Sequence, residues 1–149
     1  TYNLHIIVRF ELELALFSGA LSVEDLPAAW DAAYAARLGL RPAHATEGVL
    51  QDVHWCSGYF GYFPSYTLGN LMAAGMRAAL EAARPTLWAE VARGELAPTL
   101  AWLRENVHQH ANLLTTQQVL DQAVGPRDLV ADLLAHLDGR GLAAARRRA

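Results

Sequence analysis

Residues 48–55 read GVLQDVHW and residues 56–66 read CSGYFGYFPSY, and this glycine-punctuated stretch separates two helical regions of the chain. It brings Gln51, Asp52 and His54 close in sequence to three tyrosines. A pocket that orients a polar substrate between apolar walls needs such hydrogen-bonding groups on large rings, whereas a packing loop does not. The other interpretation is a buried aromatic turn whose hydroxyl groups are satisfied within the protein. The stretch is therefore the first candidate for a functional site.

The rest of the sequence predicts helices with ordinary start and stop signals. Gly19 and Gly39 end the first two helices, and Pro64 stands where the helix after the long loop begins. Residues 40–63 contain too many glycines and prolines for one helix, so they form the loop that holds the candidate site. No long segment alternates with period two, although a short hairpin at residues 58–63 fits the glycine-rich part of the loop. The sequence thus predicts an all-α fold of about seven helices. The predicted helices are residues 2–17, 22–39, 64–83, 86–93, 98–111, 116–124 and 127–138.

Two of these helices, residues 2–17 and 64–83, are apolar on nearly every face. A helix that is apolar all round belongs to the interior of a larger body. Either these helices pack against a lobe outside this sequence, or the later helices of the chain wrap around them. A bare apolar face would lead to association with a second copy or with a partner.

Composition and charge indicate a globular protein and exclude several classes. The 149 residues are 53% hydrophobic and 18% charged, which suffices for one domain with a core. The sequence lacks the roughly 18 to 20 consecutive apolar residues of a membrane span, and polar residues interrupt the first apolar stretch, unlike a signal peptide. The net charge is -3, and the one basic cluster, at residues 146–148, is expected to be part of a frayed tail. We therefore expect no nucleic-acid partner. The single cysteine, Cys56, excludes an internal disulfide and fits a reducing compartment, so we expect the cytoplasm.

Residues 48–55 resemble the GxxQDxHW motif of the thermostable carboxypeptidase 1 family (Taq type), and residues 61–70, GYFPSYTLGN, resemble the sequence that follows this motif. Members of that family are zinc metallocarboxypeptidases with an HExxH zinc motif. Further blocks of the family's C-terminal third resemble residues 1–13, 19–30 and 102–110. The resemblance runs in unbroken order over residues 1–138 and implies the C-terminal helical portion of a larger, mostly helical, two-lobed metallopeptidase fold. Residues 139–149 are then expected to form a flexible, arginine-rich tail.

The metal motif of the family is missing from this sequence. The histidines are His5, His44, His54, His108, His110 and His136. None of them begins an HExxH motif and no two are four residues apart, so no helix presents two imidazoles to a metal on one face. In the family, the HExxH motif and a third zinc ligand, a glutamate in a HES motif, lie upstream of the block that begins this sequence. The resemblance thus implies a zinc enzyme whose ligands lie elsewhere, and we expect this segment to bind no metal.

The resemblance also implies catalytic roles for loop residues. In a zinc carboxypeptidase the metal and a glutamate activate water, and further donors help to hold the negative charge that develops on the peptide carbonyl oxygen. His54, Tyr62 and Tyr66 have the order and spacing of the histidine and tyrosine pair in related HExxH peptidases. They are therefore the candidate catalytic residues, as hydrogen-bond donors to the scissile carbonyl.

Gln51, Asp52 and Arg9 are the candidates for substrate binding. Gln51 could bind the substrate backbone or its C-terminal carboxylate. The DxH spacing also allows Asp52 to fix a neighbouring group or to cap a turn. Arg9 shares a helix face with His5 and Glu13 at four-residue spacing. This polar stripe is either solvated or ion-paired, or it lines the floor of the cleft, since in the family this helix follows a motif near the substrate.

We therefore expect the C-terminal part of a zinc metallocarboxypeptidase that removes C-terminal residues from peptides. The expected partners are a peptide substrate, the upstream lobe of the same enzyme and a second copy of the chain, with no nucleic acid and no membrane. One alternative is a free-standing, non-catalytic helical domain that binds a peptide or protein through the surface that forms the substrate cleft in the family. A second is a helical bundle whose site residues only pack.

Overall fold

The computed structural model describes residues 1–110 and 112–139, and within these residues it contains helices and no strands. The α-helices are α1 (Tyr2–Phe17), α2 (Leu26–Leu38), α3 (Phe63–Ala83), α4 (Leu87–Ala92), α5 (Ala97–Asn106), α6 (Thr116–Ala123) and α7 (Leu129–Gly139). Short 3-10 turns lie at Val49–Gln51, Trp55–Ser57 and His108–His110. The predicted all-α fold is confirmed, and each predicted helix has a counterpart in the chain. The helix predicted for residues 98–111 ends earlier, at Asn106, and residue 111 lies outside the described residues.

The glycine-rich part of the long loop forms turns, so the hairpin considered for residues 58–63 is wrong. Gly58 and Gly61 have φ angles of 76° and 73°, in the left-handed region that residues with a Cβ rarely adopt. The Tyr59 N–H donates to the His54 carbonyl, and the Phe60 N–H donates to the Gly58 carbonyl. These backbone hydrogen bonds are local, as in turns, and do not join two strands.

The chain divides into two compact units, a first unit of Thr1–Leu68 and a second unit that starts at Gly69. The expectation of one helical portion over residues 1–138 stays a prediction. Of the tail expected at residues 139–149, Gly139 is the last residue of α7, and the remainder lies outside the described residues.

A buried cluster between α1 and α2 forms the core of the first unit. Its members are Val8, Leu12, Leu26, Trp30 and Tyr34. The rings of Trp30 and Tyr34, one turn apart on α2, stack with their centroids 4.8 Å apart. Val49 and Trp55 of the long loop pack against this cluster. Burial of these side chains therefore ties the loop with the candidate site to the helix pair.

Helix α1 also exposes a stripe of apolar side chains to solvent. The stripe has the three- and four-residue spacing of one helix face. Its members are Phe10, Leu14 and Phe17, which are 37%, 54% and 67% exposed. The Phe60 ring of the loop lies against Phe17 with the centroids 5.1 Å apart. Part of the apolar surface of α1 is thus not buried by the described residues.

None of the helices among the described residues is long and apolar enough to span a bilayer.

In the second unit, α3 and α7 approach each other closely at Gly75. A Cβ at Gly75 would lie 2.4 Å from Leu129 Cδ2 and 3.2 Å from Val124 Cγ1. A Cβ at Gly69 would have no atom within 4 Å. Glycine at position 75 therefore leaves room for a neighbouring helix, whereas position 69 has no such constraint within the described residues.

Candidate functional site

The side chains predicted to be catalytic meet at the end of the long loop. His54 directly precedes the turn Trp55–Ser57, and Tyr66 lies in the first turn of α3. The His54 Nε2 and the Tyr66 hydroxyl oxygen are 3.1 Å apart, which is within hydrogen-bond distance. Tyr62 stacks on the His54 ring with the centroids 5.8 Å apart, and the Phe63 centroid lies 4.8 Å from that of His54. The structure thus brings the imidazole and both phenols into one cluster.

The proton positions in this cluster follow from its surroundings. Partial burial raises the pKa of the Tyr66 phenol above its ordinary value, and the neighbouring Tyr62 adds to this effect, so Tyr66 carries its proton at neutral pH. The His54 Nδ1 is buried, lies 3.7 Å from Asp52 Oδ2 and has no hydrogen-bond partner among the described residues. A carboxylate on that side favours a hydrogen on Nδ1, and with that tautomer Nε2 accepts from the Tyr66 hydroxyl.

Asp52 holds the backbone at the start of the cluster. Its carboxylate is 5% exposed and uses both oxygens. Oδ1 accepts from the backbone N–H groups of His54 and Trp55, each at 2.9 Å. Oδ2 accepts from Arg9 Nε at 3.0 Å. A side chain that accepts from the amide two residues on forms an Asx turn, so Asp52 fixes the chain direction at His54.

The Arg9 guanidinium is buried within the first unit. It is 6% exposed, and its Nη1 donates to the Tyr34 hydroxyl at 3.0 Å. Its Cζ lies 4.8 Å from the ring centroid of Trp30 and 5.5 Å from that of Phe63. The two aromatic rings and the carboxylate of Asp52 compensate for the loss of water around this charge. The polar atoms of Arg9 and Asp52 contact the protein itself, and their substrate-binding role stays a prediction.

His5 lies beside Arg9 as a neutral partner. Arg9 Nη1 donates to the His5 ring and contacts both Nε2 and Nδ1, the latter at 2.8 Å, and the Tyr34 hydroxyl contacts Nδ1. Burial, followed by the charge of Arg9, lowers the pKa of His5. Burial raises the pKa of Tyr34. Both groups are therefore uncharged at neutral pH, which suits their place next to a buried guanidinium.

Glu13 was not expected to contact the site loop. It is 6% exposed, and its Oε2 accepts from the Trp55 indole N–H at 2.8 Å. Its Oε1 accepts from the Gly61 backbone N–H. The donors lie 42 and 48 residues further along the chain. The sequence signal was the polar stripe with His5 and Arg9, because charged side chains on an apolar helix must find partners when they are buried.

Gln51 does not join the cluster. Its side chain is exposed, and its Nε2 donates to the Thr46 carbonyl within the same loop. The predicted role of Gln51 in substrate binding stays a prediction.

The cluster does not have the donor set of a metal centre. The described residues contain no group of three or more histidine, cysteine, aspartate or glutamate side chains placed to hold a metal ion. The Asp52 carboxylate beside His54 is already paired with Arg9. A zinc centre takes three or four nitrogen, sulfur or carboxylate ligands, so these residues do not fit one. The chemistry that the cluster offers is hydrogen bonding from an imidazole and two phenols held on a fixed backbone.

Known proteins are similar to this chain, in sequence and in structure, over nearly its whole length. The thermostable carboxypeptidase 1 of Thermus thermophilus is 47% identical over 138 residues, which are 93% of this chain and 27% of that protein. The crystal structure of an M32 carboxypeptidase from Deinococcus radiodurans R1 superposes with a TM-score of 0.84 at 43% identity, covering 94% of this chain and 29% of that one. Metallocarboxypeptidase 1 of Trypanosoma cruzi gives a TM-score of 0.88 at 35% identity, covering 93% and 28%. The chain therefore spans little more than a quarter of the length of these relatives.

The family model for carboxypeptidase Taq (M32) metallopeptidases matches residues 1–140. This match includes both the loop with the candidate site and the helices around it. From its sequence and its fold alike, the chain belongs to the carboxypeptidase Taq (M32) metallopeptidase family.

Proposed function

We propose that this chain is the part of a metallocarboxypeptidase that lines the substrate cleft and stabilises negative charge on the scissile carbonyl. The observation that carries the proposal is the pairing of His54 Nε2 with the Tyr66 hydroxyl at 3.1 Å, with Tyr62 stacked on the same imidazole. Donors that are already fixed in place stabilise a developing oxyanion without reorganising at the moment of reaction. The buried Asp52 and Arg9 supply that fixed framework.

In this proposal each group of the cluster has a defined task. Tyr66 keeps its proton at neutral pH and is half of a pair in which one hydrogen lies between oxygen and nitrogen. As substrate enters, the Tyr66 O–H turns from His54 to the carbonyl oxygen. His54 donates from Nε2 in the form that has taken up a proton there from solvent. Tyr62 is 47% exposed and is available to a substrate from the solvent side. Gln51 binds the substrate backbone or its terminal carboxylate.

The proposed substrate is a peptide from which C-terminal residues are removed. The proposed metal is zinc, held by residues outside this sequence, because the sequence contains no HExxH motif. The exposed stripe Phe10, Leu14 and Phe17 of α1 then faces another part of the same enzyme or a second copy of the chain. We also propose that the enzyme is a homo-oligomer, for which the exposed stripe of α1 offers a contact surface. We propose the cytoplasm as its compartment, since the single cysteine is free and exposed.

The proposal is tested in a chimera in which this chain replaces the matching segment of the Thermus thermophilus enzyme. His54→Ala and Tyr66→Phe should each lower kcat by about ten- to a thousandfold with a smaller change in KM, because a donor used mainly in the transition state affects kcat. Gln51→Ala should act largely on KM. His44→Ala is the matched control, because His44 is an exposed histidine of the same loop.

A chimera in which His54→Ala left both kcat and KM at the level of the His44→Ala control would refute the proposed role. His54 would then be a packing residue, and the non-catalytic interpretation of the loop would be favoured.

A further inference from the structure

We infer that Glu13 is a positioning residue that sets the distance between His54 and the two tyrosines by clamping both ends of the segment Trp55–Gly61. The inference rests on the proposed function only in that it takes His54, Tyr62 and Tyr66 as the acting groups. The clamp itself is a property of the first unit.

The evidence is the way in which one carboxylate divides its two oxygens. Glu13 Oε2 accepts from the indole N–H of Trp55, and Glu13 Oε1 accepts from the backbone N–H of Gly61. The two donors are the first and the last residue of the segment. One side chain of α1 therefore closes the segment into a loop whose ends cannot move apart without breaking a hydrogen bond to a buried charge.

The position of this segment explains why the clamp matters for the cluster. His54 directly precedes Trp55, and Tyr62 directly follows Gly61. The ring of Phe63, which is 1% exposed, lies 5.9 Å from the Trp55 ring and 4.8 Å from the His54 ring. Closing the segment thus places the start of α3, and with it Tyr62, against the imidazole. Gly61 also has a φ angle of 73°, so the amide that points at Glu13 depends on a glycine conformation.

A glutamate is the residue type that this geometry requires. Both groups that face its oxygens are N–H donors, and an ionised carboxylate only accepts. A glutamine would present its NH₂ group to one of the two donors and leave that donor without an acceptor on residue 13. An aspartate is one methylene shorter and would not reach both ends of the segment.

The test compares Glu13→Gln with Glu11→Gln in the 149-residue chain. Glu11 lies on the same helix, is exposed and pairs with Arg37 at the surface, so it is the matched control. The readouts are hydrogen exchange of the Trp55 indole N–H and the nuclear Overhauser effects between the rings of His54 and Tyr66, whose centroids are 5.9 Å apart. Glu13→Gln should speed the indole exchange at least tenfold and weaken the ring contacts at least twofold, and Glu11→Gln should change neither.

Kinetics in the chimera separate the clamp from the proposed function. Glu13→Gln should lower kcat about ten- to a hundredfold with a smaller change in KM, as expected when donors are misplaced. If the NMR signals change but kcat does not, the clamp is supported and the catalytic assignment of His54 and Tyr66 is overturned. If the indole exchange and the ring contacts match those of the Glu11→Gln control, the clamp is overturned.

A milder variant decides the question if Glu13→Gln fails to fold. Trp55→Phe removes the indole N–H and keeps an aromatic ring in the core. The Gly61 amide should then stay protected by Glu13, while the contacts between the His54 and Tyr66 rings weaken at least twofold. Ring contacts of unchanged strength would overturn the inference.

Discussion

The substitution Asp52→Asn tests the framework behind the cluster. In the native protein, Asp52 Oδ1 accepts two backbone N–H groups and Oδ2 accepts from Arg9. An asparagine keeps the first oxygen but places an NH₂ group opposite the Arg9 Nε–H. Turning the amide over would restore an acceptor for Arg9 and would set the NH₂ against two backbone donors. Each arrangement leaves a buried donor without a partner, and the Arg9 charge loses its counter-ion.

The expected loss in the free energy of unfolding is about 3–5 kcal/mol, the cost of removing one partner from a buried ion pair. Both side chains meet the condition for this value, because they are 7% and 2% exposed. For a chain of this size the same loss lowers Tm by about 6–20 °C. The matched control is Glu11→Gln, which breaks the ion pair with Arg37 whose side chains are 48% and 41% exposed. A surface pair of this kind contributes about 0–1 kcal/mol.

Urea and thermal unfolding are followed through the indole resonances of Trp30 and Trp55, because both residues belong to the first unit. We expect wild type and Glu11→Gln to have similar free energies of unfolding and Asp52→Asn to have a much lower one. A loss for Asp52→Asn within about 1 kcal/mol of the control would refute the reasoning, since the Arg9 charge would then have to be compensated by other groups.

Further predictions concern the metal, association, pH and two glycines. Elemental analysis after dialysis should find no stoichiometric zinc in the isolated chain, and one tightly held zinc per chain would contradict the ligand argument. The isolated chain should self-associate, as measured by light scattering. Burying ~400 Å² of the apolar stripe at ~25 cal/mol/Å² gives about 10 kcal/mol before the entropic cost of association. Leu14→Glu should therefore weaken this association. Because the pKa of His5 is lowered in the folded state, the unfolded state binds more protons below about pH 6.5. The free energy of unfolding should therefore fall as pH drops below that value, and His5→Gln should flatten the dependence of the urea midpoint on pH. An equal slope in both proteins would exclude His5 as the source of the pH dependence. Gly69→Ala should raise the free energy of unfolding by about 0.5–1 kcal/mol through helix propensity. Gly75→Ala should be less stable than Gly69→Ala by about 1–3 kcal/mol, because its Cβ would lie 2.4 Å from a leucine of α7, and equal stabilities would show that this leucine moves away at little cost.

The sequence predicted the helices well because their signals are local. The glycines at positions 19 and 39 end α1 and α2, with φ angles of 76° and 67° at the helix ends. The proline at position 64 lies at the start of α3. Such residues act through their own backbone angles, which do not depend on distant parts of the chain. The same local reasoning was too weak for residues 58–63, where glycine turns and a hairpin share one composition.

The candidate site was only partly predictable. The order of His54, Tyr62 and Tyr66 in the motif was sufficient to group them, and the structure places them in one cluster. Gln51 belongs to the same motif, yet its amide bonds to Thr46 and not to the cluster. Motif membership fixes which residues are near in sequence, and the direction of each side chain depends on the turns between them.

By itself, the sequence determined the all-α fold, the long interrupting loop and the family to which the chain belongs. It also placed Arg9 and Glu13 on one face of α1 through their four-residue spacing. Only the tertiary structure decided that these charges are buried and that they hold Asp52, Trp55 and Gly61. The physical reason is the separation along the chain, because these hydrogen bonds join residues 42 to 48 positions apart and form only when the loop has folded onto the helix.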